Sequence, residues 1–122
     1  MKVLIVEDDI TTIESIKLCL EIYEPDSKLF YTHKGQDALQ MLKDGEYDGV
    51  IIDLGLPDID GADVLRELRT FSSIPAVVLS ARQSPEVIRK ALEFGANDYI
   101  TKPFEYKNLL KRLNKLIVDH AK

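Results

Sequence analysis

The chain has 122 residues, of which 45% are hydrophobic and 30% charged, and its formal net charge is −5. This length and composition predict one globular domain over residues 1–122 with a substantial buried core. The acidic balance disfavours direct binding of nucleic acid, because contacts with phosphates need clustered Lys and Arg side chains. The sequence has no apolar run of about eighteen residues and no export leader, so we predict a cytoplasmic protein that does not enter a membrane.

Five short apolar runs, rich in β-branched residues, predict β-strands. These runs occupy residues 2–6, 28–32, 49–52, 76–80 and 98–101. A segment with apolar residues at helical spacing follows each run and predicts an α-helix. The alternation indicates a doubly wound α/β fold of the flavodoxin-like (βα)5 type, with a five-stranded parallel sheet in the order 2-1-3-4-5 and right-handed crossovers.

Local signals predict where several helices begin and end. Thr11, followed three residues later by Glu14, has the pattern of a capping box at the start of the first helix. Gly45 is expected to end the second helix, and Ser84 with Pro85 to begin the fourth. The buried stripe of the fourth helix is expected to consist of Val87, Ile88, Ala91 and Leu92.

Polar residues stand at the carboxyl ends of four predicted strands. Glu7 and Asp8 follow the first strand and Asp53 follows the third; Ser80 ends the fourth, and Lys102 follows the fifth. In such sheets ligands bind where the strand order reverses, here between strands 1 and 3, so the three carboxylates are expected to share a pocket.

This pocket is expected to hold a cation. Two carboxylates about 4 Å apart repel each other by roughly 4 kcal/mol at an effective dielectric constant near 20. A divalent ion would relieve that repulsion, and Mg²⁺ suits oxygen ligands together with a phosphate group. Lys102 and the Ser80 hydroxyl are groups that could bind the remaining oxygens of a phosphoryl group.

Four motifs carry a family resemblance. They are "VEDD" at 6–9, "DLGLPDIDG" at 53–61, "LSAR" at 79–82 and "ANDYITKPF" at 96–104. Together they make the chain resemble the receiver domains of two-component response regulators along essentially its whole length. The resemblance implies a signalling switch that catalyses its own phosphorylation and dephosphorylation, and not a turnover enzyme.

The resemblance also implies a role for each acidic residue of the pocket. Asp53 would accept a phosphoryl group from a phosphohistidine of a sensor histidine kinase. Mg²⁺ would be held by Asp8, Asp53 and the backbone carbonyl of Gly55, and Glu7 would reach the ion through water.

A second set of residues would bind the phosphoryl group and relay the change. Ser80 and Lys102 match the pair that binds the phosphoryl oxygens, and Tyr99 matches the aromatic residue that turns inward when Ser80 moves toward the phosphate. Pro103 matches the position whose peptide bond with the preceding lysine is usually cis in this family. The change would reach the face formed by the fourth helix, the fifth strand and the fifth helix.

Asp58 and Asp60 allow two interpretations. With Gly61 as the sixth position they would be the third and fifth residues of a calcium-binding loop that ends at Glu67, but a strand precedes this loop where a helix is required. We therefore interpret the segment as a tight turn after Pro57, in which Asp60 and Gly61 provide turn and cap chemistry and Asp58 adds exposed charge.

Two residues beside the pocket depart from the family pattern or extend it. Gly55 stands where the family often has a larger side chain, so we expect it to admit more water to a phosphoryl group on Asp53. Arg82, two residues after Ser80, either helps to attract an anionic phosphodonor or is simply solvated, and the sequence favours neither interpretation.

The output of the switch has several possible forms. In the winged-helix transcription factors that the chain resembles, interlocking salt bridges on the fourth helix, the fifth strand and the fifth helix make an active homodimer. Asp98 and Arg112 fit one such pair, but Ile88 and Asn108 replace another, so a homodimer on phosphorylation stays open. We expect the N-terminal domain of a transcriptional regulator or, alternatively, a stand-alone receiver that acts by protein contact.

Two other functional classes stay open, although the sequence fits each of them less well. A haloacid-dehalogenase-type phosphatase would need a second carboxylate two residues after its nucleophile, where this chain has Gly55. A receiver that is only a scaffold would have a broken pocket, and here every key position is filled.

Overall fold

Strands and helices alternate without exception in the computed structural model, which describes residues 1–122. The elements are β1 (Lys2–Val6), α1 (Ile10–Tyr23), β2 (Lys28–Thr32), α2 (Gly35–Asp44), β3 (Gly49–Asp53), α3 (Gly61–Leu68), β4 (Ala76–Ser80), α4 (Pro85–Glu93), β5 (Asp98–Thr101) and α5 (Tyr106–His120). All neighbouring strands are parallel, in the order β2-β1-β3-β4-β5, which confirms the predicted fold class. No helix has both the length and the apolar character needed to cross a membrane.

The sheet separates two apolar cores, because successive side chains of a strand point to opposite faces. On β1, Leu4 and Val6 pack toward the layer of α2, α3 and α4, whereas Val3 and Ile5 pack toward the layer of α1 and α5. All four side chains are completely buried, and each such burial contributes about 1.5–3 kcal/mol. The central strands are therefore a firm support for the polar residues at their carboxyl ends.

The start of α1 differs from the sequence prediction. The capping box of Thr11 and Glu14 is wrong: Asp9 is the N-cap, and its Oδ1 accepts the backbone N–H of Thr11 at 3.0 Å. Asp9 has the extended backbone that is typical of an N-cap, and its short carboxylate accepts a free N–H group of the first turn. Thr11 cannot be the cap, because it lies inside the helix. At α2 the prediction holds, because Gly45 is the C-cap.

Helix α4 covers the sheet less completely than its sequence predicts. Ser84 is its N-cap, as expected. Of the predicted buried stripe only Ala91 is fully buried; Val87 and Ile88 are half-buried, and Leu92 is 45% exposed. The helix lies at the edge of its layer, packed against α3, so just a narrow stripe of it faces the core.

The amino end of the sheet is closed by Arg69, which follows α3. Its guanidinium donates to the carbonyl oxygens of Gly95 (2.8 and 3.0 Å), Ile74 (2.7 Å) and Ser72 (3.2 Å), and to Asn97 Oδ1 (3.0 Å). Gly95 has a φ of 114°, and a side chain at this position would collide with Arg69. The guanidinium thus joins the end of α3 to the loops that precede β4 and β5.

Candidate functional site

Three carboxylates meet at the carboxyl end of the sheet. β1 and β3 are neighbours, with Val6 paired to Ile52, so Glu7 and Asp8 emerge beside Asp53. One carboxylate oxygen of each residue lies within 4.8 Å of those of the other two. The neighbouring strands therefore bring together the three acidic residues that the sequence places in one pocket.

Lys102 reaches into this cluster from the loop after β5. Its Nζ donates to Glu7 Oε1 and, at 3.1 Å, to Asp53 Oδ2. Its backbone N–H donates to the carbonyl oxygen of Ser80, the last residue of β4, at 2.8 Å. The Lys102–Pro103 peptide bond is cis.

The charges of the cluster shift one another's pKa values. Burial raises the pKa of Glu7 to about 7, and the adjacent Asp53 acts in the same direction, whereas Lys102 opposes it. Burial alone would also raise the pKa of Asp53, but interactions with Glu7, the Gly55 N–H and Lys102 hold it below the ordinary value. Burial would lower the pKa of Lys102, but the carboxylates of Glu7 and Asp53 raise it. Asp53 is therefore the ionised carboxylate of the pair at neutral pH.

The cluster carries more negative charge than its lysine can balance. Glu7 is only 2% exposed, and its Oε2 is buried without a hydrogen-bond partner, which is costly for a carboxylate. Asp53 Oδ1 accepts the backbone N–H of Gly55 at 3.1 Å, and Gly55 itself is exposed. Oxygen donors with surplus negative charge and an unpaired buried oxygen fit a small hard cation such as Mg²⁺.

Two residues beside the cluster escaped the sequence analysis. Asp9 anchors the turn after Asp8 by capping α1, as described above. His33 follows β2, and its Nδ1 lies 3.0 Å from the carbonyl oxygen of Glu7, where an N–H can donate to it. The sequence signal that could have identified His33 is its position directly after β2, the strand beside β1.

The loop between β4 and α4 lies on the other side of the cluster. Ser80 is 1% exposed, and its Oγ accepts the backbone N–H of Arg82 at 3.1 Å. Tyr99 is half-buried against the core on the α3 and α4 side, and its hydroxyl donates to the carbonyl oxygen of Arg82 at 2.8 Å. Ser80 and Tyr99 are therefore joined through one residue of this loop.

The side chain of Arg82 has a partner that the sequence did not reveal. Its Nη1 lies 3.1 Å from Asp60 Oδ2. The two interpretations of Arg82, as an attractor of anions or as a solvated side chain, both omitted this ion pair.

Asp58 and Asp60 belong to the scaffold. Asp60 is the N-cap of α3 and accepts the backbone N–H of Ala62 at 2.9 Å, as predicted. Asp58 does more than add charge, because its carboxylate accepts the N–H groups of Gly35 and Gln36 at 2.8 and 2.9 Å and caps α2. Asp58 thereby joins the loop after β3 to α2.

The face of α4, β5 and α5 has polar and apolar parts. Asp98 on β5 forms a two-pronged ion pair with Arg112 on α5, with both N–O distances at 2.8 Å. Asn108 is exposed and Ile88 half-buried, and Leu92 adds exposed apolar surface. The predicted partners Asp98 and Arg112 are thus in contact within one chain.

Comparison with protein families identifies a match over nearly the whole chain. The model of the response regulator receiver domain matches residues 3–114. The transcriptional regulatory protein KdpE of Staphylococcus aureus is 39% identical over 114 residues, which cover 92% of this chain and 48% of KdpE. The chain spans about half the length of the curated relatives that it matches.

Solved structures resemble the chain in sequence and in fold. The receiver domain of Francisella response regulator 1452 is 33% identical, with a TM-score of 0.89 and coverage of 99% of this chain and 98% of that one. The receiver domain of the sensor histidine kinase PA1611 of Pseudomonas aeruginosa, solved with magnesium in its active-site cleft, is 27% identical with a TM-score of 0.84. The two structures overlap over 95% of this chain and 96% of that one.

Proposed function

The chain belongs to the response regulator receiver domain family, and on this premise we propose that Asp53 accepts a phosphoryl group from a phosphohistidine of a sensor histidine kinase. Residues 1–122 would form one such domain. The observation that carries the proposal is the position of Asp53, an ionised carboxylate in contact with Lys102 and beside two further carboxylates.

The transfer needs no proton from the protein at Asp53. A carboxylate oxygen of Asp53 forms a bond to phosphorus while the bond from phosphorus to the imidazole nitrogen breaks, and its electron pair stays with the imidazole. Lys102 balances part of the negative charge that the phosphoryl group brings. In dephosphorylation, the oxygen of a water molecule forms a bond to phosphorus while the bond from phosphorus to the Asp53 oxygen breaks. Asp53 leaves as a carboxylate, and the protons of the water go to the released inorganic phosphate and to solvent.

Asp8, Asp53 and the backbone carbonyl of Gly55 would hold Mg²⁺, with Glu7 reaching it through water. The surplus of negative charge and the unpaired Oε2 of Glu7 support this assignment, as does the magnesium in the cleft of the PA1611 receiver domain. When bound, Mg²⁺ would neutralise the carboxylates and bind a phosphoryl oxygen.

The relay would begin at Ser80. Its hydroxyl is free to donate to a phosphoryl oxygen while its oxygen accepts the N–H of Arg82. The resulting pull would act on Arg82 and through its carbonyl oxygen on Tyr99, and so on the face of α4, β5 and α5. A contact made only in the phosphorylated state supplies the bias between the two states.

The output would be transcriptional control through a further domain, as the name of the relative KdpE suggests. This domain itself would make no direct contact with DNA, because its net charge is −5. A homodimer formed on phosphorylation could use the exposed Leu92 and the face around it. A stand-alone receiver that acts by protein contact is the other form of output.

Phosphorylation can be tested with a purified histidine kinase and with a small-molecule phosphodonor, in the presence and absence of Mg²⁺. We expect one acid-stable, base-labile phosphoryl group per chain, detected by mass spectrometry, and its loss in Asp53→Asn. Asp63→Asn on α3, which lies outside the cluster, serves as the matched control. Labelling that persists in Asp53→Asn, or repeated turnover of a phosphomonoester, would contradict the proposal.

A further inference from the structure

The loop between β4 and α4 is held by one residue. Residues 81–84 are all exposed, yet Arg82 forms three bonds to three different parts of the molecule. Its N–H donates to Ser80 Oγ, its carbonyl oxygen accepts from Tyr99, and its guanidinium pairs with Asp60. The position of the loop therefore depends on Arg82.

The third of these bonds connects two loops that border the phosphoacceptor pocket. Asp60 stands in the loop that follows Asp53 and includes Gly55. Its position is fixed, because its Oδ1 accepts the N–H of Ala62 and so caps α3. Its other oxygen, Oδ2, is the one that binds Arg82. Since Asp60 is immobilised, it is a firm anchor for the loop after β4.

We propose that the Asp60–Arg82 ion pair is a latch that holds the β4–α4 loop where Ser80 can reach a phosphoryl group on Asp53. Arg82 is thus a positioning residue that acts through Ser80 and Tyr99, and the inference rests on the proposed function.

The exposure of the pair sets the size of the effect. The side chain of Arg82 is 47% exposed and that of Asp60 is 39% exposed, so water and salt screen their attraction. The ion pair therefore favours this position of the loop but does not fix the loop there. Loss of the pair should weaken the binding of a phosphoryl mimic by about two- to fivefold.

A double-mutant cycle with Mg²⁺ and beryllofluoride tests the latch. The variants are Arg82→Gln, Asp60→Asn and the double variant, and Asn keeps the side-chain oxygen that accepts the N–H of Ala62. Calorimetric titration should show a two- to fivefold loss in each single variant at low salt, with no further loss in the double variant. At about 1 M NaCl the wild type should approach the variants.

The Asp63–Arg66 pair is the matched control. It is another exposed Asp–Arg pair, with an N–O distance of 3.5 Å, and it lies within α3 away from the loop. Asp63→Asn and Arg66→Gln should leave the affinity for beryllofluoride unchanged. Additive losses in the cycle, losses that high salt does not alter, or equal losses in the control pair would overturn the latch.

The latch and the proposed function can fail separately. Absence of beryllofluoride binding by the wild type would contradict the proposed function. In that case amide hydrogen exchange of residues 81–84, measured by NMR on the ligand-free protein, still decides the latch. Exchange should be faster in Arg82→Gln and Asp60→Asn than in the wild type, and equal rates would overturn the proposal.

Discussion

The two ends of the sheet each contain a partly buried cation, but they satisfy it in different ways. At the amino end, Arg69 donates to three backbone carbonyl oxygens and to the side-chain oxygen of Asn97, all uncharged. At the carboxyl end, Lys102 faces the carboxylates of Glu7 and Asp53, and one buried oxygen of Glu7 has no partner. The hydrogen bonds around Arg69 are therefore satisfied, whereas one oxygen of Glu7 has no donor.

This difference separates a structural network from a cluster that can bind a ligand. Donors and acceptors balance around Arg69, so that network needs no ligand and resists change. Three carboxylates and one lysine leave surplus negative charge at the other end, so that cluster gains from a cation, which would also offset the charge of a phosphoryl group. Stability should therefore depend chiefly on the amino end, and response to ligands on the carboxyl end.

The largest expected effect is at Arg69. Arg69→Met removes every donor of the network and leaves the carbonyl oxygens of Gly95 and Ile74 without this partner. We expect the free energy of unfolding to fall by about 2–4 kcal/mol in urea titrations. Arg66→Met, at an exposed position on α3, should change it by less than about 0.5 kcal/mol.

The same variants test whether the two ends are separate. At temperatures where Arg69→Met is folded, its affinity for Mg²⁺ should equal that of the wild type. A loss of Mg²⁺ affinity that is as large as the loss of stability would show that the network around Arg69 also supports the carboxylate cluster.

The next effect is the pH dependence of the Mg²⁺-free protein. The pKa of Glu7 is raised from 4.5 to about 7, so the folded state binds more protons than the unfolded state between these values. Stability should fall as pH rises from about 5 to 8, by an amount on the order of 2 kcal/mol. The lowered pKa of Asp53 affects stability at pH values below this window, and the raised pKa of Lys102 affects it at pH values above the window.

The variant Glu7→Gln isolates this contribution. In urea titrations with a chelator present, its stability should be nearly independent of pH over the same window, and saturating Mg²⁺ should flatten the wild-type curve. A wild-type curve that rises between about pH 5 and 8, or one that Glu7→Gln does not alter, would be incompatible with a buried and protonated Glu7.

A smaller effect separates two adjacent aspartates. Asp8 belongs to the carboxylate cluster, whereas Asp9 caps α1. Asp8→Asn should weaken Mg²⁺ binding by about tenfold, because it removes the charge of one carboxylate of the cluster. Asp9→Asn should change it far less, because Asn is an equally good N-cap. Calorimetric titration with Mg²⁺ measures both, and equal losses would show that the cluster extends to Asp9.

Much of the fold and the centre of the site could be predicted from the sequence. The strand at 49–52 is a short run of apolar residues, and such runs, when they alternate with helical segments, are typical of buried parallel strands. The position of Asp53 beside Glu7 and Asp8 then follows from the strand order, because the ends of adjacent parallel strands meet at one edge. The resemblance to receiver domains supplied the proposed chemical roles.

The remaining features depend on partners that are distant in the sequence. Asp58 caps α2 across more than twenty residues, and Arg69 binds mostly backbone oxygens, which leave no trace in the sequence. Leu92 has the spacing of a core residue, but its exposure depends on the place of α4 at the edge of its layer. Periodicity predicts which face of a helix is apolar, but not how much of that face is covered.

The smallest expected effect concerns Gly55, which tests how open the carboxyl end of the sheet is to water. Gly55 is exposed, and a Cβ built on it would meet only Asp53 Oδ1, at 3.9 Å. A larger side chain therefore fits without displacing a neighbour, and it would cover one side of a phosphoryl group on Asp53. We expect Gly55→Met to lengthen the phosphoryl lifetime by about two- to fivefold by excluding water.

The lifetime can be measured by following the loss of phosphoryl groups from the protein after the phosphodonor is removed. Gly55→Ala adds only the Cβ, which reaches ordinary contact distance of Asp53, so its lifetime should lie between those of the wild type and Gly55→Met. Because Mg²⁺ would bind the backbone carbonyl at this position and not a side chain, the affinity for Mg²⁺ should be the same in all three proteins. Decay that is unchanged or faster in Gly55→Met, at equal Mg²⁺ affinity, would contradict the view that the open space at Gly55 admits the attacking water.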